Sequence, residues 1–182
     1  MRVVAGELRG RRIESPKNDA TRPTTDKVRE AVFNALASLG EVEGASVLDL
    51  FAGTGAMGIE ALSRGAAHCT FVERDREALG VLRTNLRTLG LEDRSTVSTG
   101  DATSSTVPSH GASLVIADPP YGFDGWATLL ANVPADAFVV LESGSPINVP
   151  VGWDCLRDKK YGRTFVAFLR KADSGAGTVE SS

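Results

Sequence analysis

An apolar run ends abruptly where Leu114-Val115-Ile116-Ala117 meets Asp118-Pro119-Pro120-Tyr121. Proline has no amide hydrogen and a fixed φ, so two in succession stop a strand and stiffen the residues after it. The plain reading is a strand terminator. The chemical reading is a rigid platform offering a carboxylate, a backbone carbonyl and an aromatic ring to a planar substrate.

A second constellation lies upstream. The segment 46–52 reads as a strand feeding Ala52-Gly53-Thr54-Gly55-Ala56-Met57-Gly58, so Gly53, Gly55 and Gly58 fit G-x-G-x-x-G between a strand and a helix. Glycine lets backbone approach a ligand closely, and the helix start at Ala56 offers unpaired N–H groups to an anion. Glu73, eighteen residues beyond Gly55, closes the next strand and can accept two hydrogen bonds from a ribose diol. Strand, helix and acid in register predict a nucleoside-bearing cofactor.

Two cofactors use this geometry. A nicotinamide dinucleotide sets a pyrophosphate on the helix start, and S-adenosylmethionine sets a methionine carboxylate there. Asp49 separates them, because an acid near the strand end suits an ammonium or sulfonium and has less use beside a pyrophosphate. Asp101, just after the segment 95–99, is placed to accept from an adenine amino group. The plain alternative has Asp49 capping a loop and Asp101 a turn. The methyl donor is the expected cofactor.

A donor of that kind gives the platform a task. The lone pair of a base amino group is delocalised into its ring, so the nitrogen is a poor nucleophile. Hydrogen bonds to the Asp118 carboxylate and the Pro119 carbonyl would hold it and favour a pyramidal, more reactive geometry. Tyr121 would stack on the base, and Pro119 and Pro120 would limit reorganisation. Neither a metal nor a covalent intermediate is needed.

The elements that must position these residues can be read from periodicity. Segments 2–6 and 11–15 predict a short β-hairpin. A helix is expected from Asp26, with Thr25 as N-cap, Val28, Val32, Ala35, Leu36 and Leu39 as its apolar stripe, and Gly40 as its stop. Strands at 46–52, 69–74, 95–99, 113–118 and 137–143 alternate with helices at 56–63, 77–89 and 126–131. Such alternation implies a parallel sheet covered on both faces. Segments flanking Tyr161-Gly162 break the pattern and predict a closing antiparallel hairpin. The fold expected is α/β, a doubly wound, mostly parallel seven-stranded sheet with an antiparallel finish and a small N-terminal hairpin extension. Residues 1–25 form that extension, 26–171 the main domain, and 172–182 a disordered polar tail.

Composition narrows the class. The chain has 182 residues, 42% hydrophobic and 24% charged, as a soluble globular domain does. It contains no apolar run long enough to span a membrane and no signal-peptide pattern. Two cysteines and two isolated histidines supply no metal site. A cytoplasmic, metal-independent monomer is expected. Net charge is −3, which argues against coating nucleic acid by bulk attraction, but residues 1–30 carry eight Lys/Arg against five acids. A basic arm on an acidic body can contact phosphate or simply be solvated.

Together, "LDLFAGTGAMGIEALSRGA" and "ADPPY" resemble class I S-adenosylmethionine-dependent methyltransferases that act on exocyclic amines. With "GELRGRRI", "RPTTDKVREAVFN" and "YGRTFVAFL", residues 1 to about 171 resemble the 16S (small-subunit) ribosomal RNA guanine-N2 methyltransferase D family. The Asp-Pro-Pro-Tyr tetrad is widely shared, and "RPTTDKVRE" is the narrower marker. The resemblance implies a class I, Rossmann-like fold. It implies that Phe51, Ala52, Gly53 and Gly55 line the methionine end of the cofactor, that Glu73 binds ribose, and that Asp101 with Ala102 binds adenine. Arg22, Thr24 and Thr25 should lie over the cofactor, and Arg9, Arg11 and Arg12 on the basic hairpin should contact RNA. The implied target is one guanine of small-subunit rRNA within an assembling 30S particle. A short link between Tyr121 and strand 137–143 departs from the pattern and predicts a trimmed substrate-facing wall.

Rival readings make distinct demands. Methylation of DNA adenine or cytosine, or of another RNA, keeps the chemistry, but DNA enzymes usually add a target-reading region for which this chain has little length. Protein glutamine methylation typically shows Asn in place of Asp118. A nicotinamide-linked oxidoreductase requires a substrate domain after the first half-sheet. A non-enzymatic RNA-binding module leaves the glycine loop without a purpose.

Overall fold

A computed structural model of the protein describes residues 1–15 and 26–173. Arg22, Thr24 and Thr25, the cap expected at Thr25 and the tail from residue 174 lie outside the described residues. In chain order the elements are α1 (Asp26–Ser38), β1 (Ser46–Leu50), α2 (Ala56–Ser63), β2 (His68–Glu73), α3 (Arg76–Leu89), β3 (Ser95–Thr99), β4 (Leu114–Ala117), α4 (Trp126–Ala131), β5 (Phe138–Ser143), β6 (Trp153–Tyr161) and β7 (Thr164–Lys171).

The sheet runs β3-β2-β1-β4-β5-β7-β6. Strands β1 to β5 pair in parallel, while β7 is antiparallel to both β5 and β6. The order reverses between β1 and β4, and doubly wound sheets bind ligands beyond the strand tips at such a switch. Helices α1, α2 and α3 cover one face of the sheet and α4 the other, with separate apolar clusters beneath them. All four residues of β4 are buried, which is why it reads as an unbroken apolar run.

Local signals account for the helices. Asp75 caps α3 by accepting the Ala78 N–H at 2.8 Å, and Gly90 ends it with φ 69°. α1 also ends as expected, but Leu39 lies beyond it and is 46% exposed. The true core face of α1 includes Arg29 and Phe33, so Leu39 belongs to the exposed turn before Gly40 rather than to the stripe.

The N-terminal segment forms the expected hairpin and also docks onto α2. Arg2 bridges Arg12 in antiparallel fashion, and Val3 donates to the Arg11 carbonyl at 2.9 Å and Ile13 to the Met1 carbonyl at 3.0 Å, so the two segments pair as a short hairpin. Its next amides turn away to the helix beneath: Val4 and Ala5 donate to the Glu60 carboxylate at 2.8 and 3.0 Å, and Leu8 to the Ser63 hydroxyl at 3.0 Å. Gly6, at φ 83°, lies so close to α2 that a Cβ would stand 1.8 Å from the Ser63 carbonyl oxygen. Glu60 is fully buried and also meets Arg29 at 3.4 Å and Arg64 at 2.7 Å. Val3 and Ile13 join the core of α1 and α2. The arm is part of the globule.

Candidate active site

Leu50 pairs with Ala117, so Phe51 and Asp118 leave adjacent strand tips side by side. Phe51 does so with φ 59°, a left-handed conformation uncommon for a residue with a Cβ and costing about 1–2 kcal/mol. Aromatic contacts hold it there. Its ring meets Phe123 edge-on at 5.3 Å, and Phe123 meets Trp126 at 4.8 Å. Phe123 follows the Asp-Pro-Pro-Tyr segment, so this chain of rings ties the β1 tip to the β4 loop.

The three motif glycines divide their work. A Cβ on Gly58 would stand 2.3 Å from Phe71, and one on Gly55 2.4 Å from Leu82, so Gly58 allows close packing of α2 on β2 and Gly55 close approach to α3. Gly53, at φ 55°, would meet only the Phe51 carbonyl oxygen, at 4.0 Å. Its bare backbone faces open space at the crevice, a cradle that a side chain would fill and a cofactor can approach.

Carboxylates surround this loop. Asp49 is 2% exposed and accepts the Gly58 N–H at 2.9 Å. Gly55 is the N-cap of α2 and has no side chain to cap with, so Asp49 supplies the missing acceptor from the neighbouring strand. Burial raises its pKa to about 7 against the Gly58 bond, and the Asp118 and Glu73 carboxylates push the same way as burial. The structure thus places Asp49 beneath the glycine loop, supporting its geometry.

Glu73 is held by backbone. Its Oε2 accepts the Gly53 N–H at 2.7 Å, and its Oε1 accepts those of Arg74 and Asp75, both at 2.8 Å. Asp101 accepts from the Thr103 hydroxyl and amide at 2.7 and 2.8 Å and from Arg74 at 3.2 Å. These bonds, the Thr103 hydroxyl foremost, hold its pKa below the usual carboxylate range. Ala102 is buried beside it. The Arg74–Asp101 pair bridges the β2 and β3 tips, beside the loop that Glu73 braces.

On the β4 side, Asp118 is half-buried, Pro119 buried and Pro120 exposed. Tyr121 is 70% exposed. Its ring lies against the backbone just beyond β5, where a Cβ on Gly144 would stand 2.7 Å from its Cζ. Glu73, Asp118 and the Phe51–Gly55 loop therefore share one edge of the sheet. Arg9, Arg11 and Arg12 are exposed, but the arm carrying them docks toward the amino edge: Arg11 donates to the Thr88 carbonyl at 2.9 Å, and Glu7 pairs with Arg94 just before β3. A surface cleft of about 420 Å³ among Ser109, His110, Asn132 and Asp136 also lies at the amino edge, away from both tips.

Several site-supporting residues had no role in the sequence reading. Asn85, 1% exposed, donates to the Thr54 carbonyl at 3.0 Å and exchanges hydrogen bonds with the Glu14 backbone at 2.9 and 3.1 Å. It joins the glycine loop to the end of the arm. Among the described residues no cluster of His, Cys, Asp or Glu could hold a metal ion, and no helix is long and apolar enough to cross a membrane.

Comparison with known proteins supplies the context. Residues 1–170 match a family described as conserved hypothetical protein 95. The chain is 38% identical to YlbH of Bacillus subtilis, over 94% of this chain and 99% of that one. It is 34% identical to the ribosomal RNA small subunit methyltransferase D of Escherichia coli K12, over 99% and 94%. A solved Escherichia coli structure, yhhF, superposes with a TM-score of 0.80 at 33% identity, over 94% and 97%. The sheet is that of the class I, Rossmann-like methyltransferases.

Proposed function

Because the chain belongs to the conserved hypothetical protein 95 family, that of the small-subunit ribosomal RNA methyltransferases D, we propose that it transfers a methyl group from S-adenosylmethionine to the exocyclic N2 amine of a guanine in 16S rRNA. The observation that carries this reading is the pairing of Leu50 with Ala117, which sets a glycine cradle and an Asp-Pro-Pro-Tyr platform next to each other.

S-adenosylmethionine, when bound, supplies an electrophilic methyl group. Phe51, Ala52, Gly53 and Gly55 would hold its amino-acid end, with Asp49 fixing the loop from below. Glu73, preset by three backbone amides, would take the ribose hydroxyls, and Asp101 with Ala102 the adenine. Arg22, Thr24 and Thr25 would complete that side. The Asp118 carboxylate and Pro119 carbonyl would accept the two hydrogens of the guanine amine, aiming its lone pair across the crevice. Tyr121 would stack on the base. Asp118 also stands ready to receive the proton released when the methylated nitrogen returns to neutrality.

The substrate proposed is rRNA within an assembling 30S particle, acted on by a cytoplasmic monomer without a metal. Residues 1–25 would act as an RNA-contacting extension of the domain at 26–171. Arg9, Arg11 and Arg12 would then touch phosphate distant from the target base. The test is direct. Tritiated methyl donor is incubated with unmodified small-subunit particles, free rRNA and DNA, and the labelled nucleoside is identified. N2-methylguanosine from rRNA is expected; label on an adenine, a cytosine or DNA alone would replace this reading.

A further inference from the structure

The crevice that must admit an RNA base is ringed by Glu73, Asp101 and Asp118. Like charge there repels phosphate, so cations beyond the crevice must supply the attraction. Of the arm arginines, Arg11 is held toward the other edge of the sheet, at the Thr88 carbonyl. Among the described residues, the basic element on the crevice edge is the β6–β7 hairpin. Residues 153–171 carry six Lys/Arg against two acids in a chain of net charge −3.

Register places the tip of that hairpin. Ser143, at the carboxyl end of β5, pairs with Phe165 of β7, which pairs in turn with Lys160 of β6. The Gly162-Arg163 turn therefore projects from the edge that bears Asp118. Tyr121 leans toward it across Gly144, and the Lys160 ammonium sits 5.0 Å from the centre of the Phe165 ring. From β4 to β6 is three strand spacings, about 14 Å, which a few nucleotides of single strand cover. Lys159, Lys160 and Arg163 are exposed. Arg170, at the other end of the hairpin, is neutralised by Glu41 at 2.5 Å, whereas among the described residues no acid pairs with Lys159, Lys160 or Arg163.

We infer that Lys159, Lys160 and Arg163 form a phosphate-binding surface for the nucleotides flanking the target base, beside the crevice and separate from the arm arginines. This rests on the function proposed above. It gives the molecule an RNA grip on the β5 side of Asp118, opposite the cofactor half of the sheet. Lysine on an edge strand can also serve only to discourage sheet-to-sheet pairing, and the test separates the two roles.

The full chain carrying K159Q/K160Q/R163Q is compared with wild type and with the charge-keeping K159R/K160R/R163K. A protein-free fragment of unmodified small-subunit rRNA is titrated at several salt concentrations, and methyl transfer to that fragment and to whole particles is followed. The neutral variant should flatten the log–log salt slope by about two, as expected for loss of three phosphate contacts. Its KM for RNA should rise about tenfold or more near physiological salt. Its kcat and donor affinity should hold, and the charge-keeping variant should match wild type. An unchanged slope, with or without new self-association, overturns the inference. So does a defect seen on particles and not on the free fragment, which would assign the tip to a ribosomal protein. Wild type that binds the fragment but labels no guanine would unseat the proposed function while leaving the slope readable. Wild type that binds no RNA overturns both.

Discussion

The carboxylate of Asp49 accepts the backbone N–H of Gly58 at 2.9 Å, so a strand residue caps a helix whose own N-cap, Gly55, has no side chain. The bond joins β1 to the third residue of α2 and shapes the glycine loop between them. Its cost is a buried acid with a pKa raised to about 7.

That acid makes stability depend on pH in a stated direction. The folded state holds the Asp49 proton more tightly than the unfolded chain, so its share of stability is complete below about pH 4 and is lost as pH rises toward 7. Asp49→Asn keeps an acceptor for Gly58 and removes the titration. Urea unfolding at pH 5 and pH 8 should show wild type losing stability relative to the variant over that interval. Parallel behaviour of the two proteins would deny Asp49 this role.

Asp118→Ala should lower kcat/KM for methyl transfer about a hundredfold or more, on the order of 3 kcal/mol of transition-state binding. Donor affinity, measured by calorimetry, should change little, because the carboxylate is proposed to hold the amine. Turnover near that of wild type would remove Asp118 from the mechanism.

The motif glycines should separate by readout. Gly58→Ala forces a Cβ against Phe71 and should cost about 1–3 kcal/mol of stability. Gly53→Ala meets no such neighbour, and should lose about 1 kcal/mol to its left-handed φ while weakening donor binding more than Gly58→Ala does. Thermal melts with and without S-adenosylmethionine distinguish the two. The same melts on wild type should show stabilisation by S-adenosylmethionine and none by NADH.

Glu60→Gln removes the buried carboxylate shared by Arg29 and Arg64, leaving Arg29 only Asp26 among the described acids, and weakens the grip on the Val4 and Ala5 amides. A loss of about 3–5 kcal/mol is expected, the range for breaking a buried ion pair. Faster amide hydrogen exchange at Val4 and Ala5 should accompany it. A melt within a degree or two of wild type would show that Glu60 contributes little to holding the arm.

What sequence could and could not reveal divides by range. The strand–glycine–helix unit, the Asp118 platform and the closing hairpin are written in local periodicity and turn chemistry, and each lies within a residue or two of its expected place. The Glu60–Val4 and Asn85–Glu14 bonds span 56 and 71 positions, and no local pattern announces them. A lone acid in the apolar helix Ala56–Ser63 was the available hint. β-branched residues near the N-terminus predict the strand pairing that Val3 and Ile13 make, but no local pattern shows that the Val4 amide goes to a side chain of α2. Asp49 favours the cationic end of a cofactor in the sequence, with a loop cap as the plain alternative, because its type and position allow both and only the third dimension shows which groups surround it.

The docking of the arm bears on the order of synthesis. Residues 1–15 leave the ribosome before their partners Glu60, Ser63 and Asn85, which come decades of residues later. The arm can pair within itself, but its docking must wait until α2 and α3 have emerged, so its attachment is a late event with a large loop to close. A fusion tag placed before Met1, whose amine lies 3.3 Å from the Ile13 carbonyl, would burden that last step, whereas one at the other terminus would not.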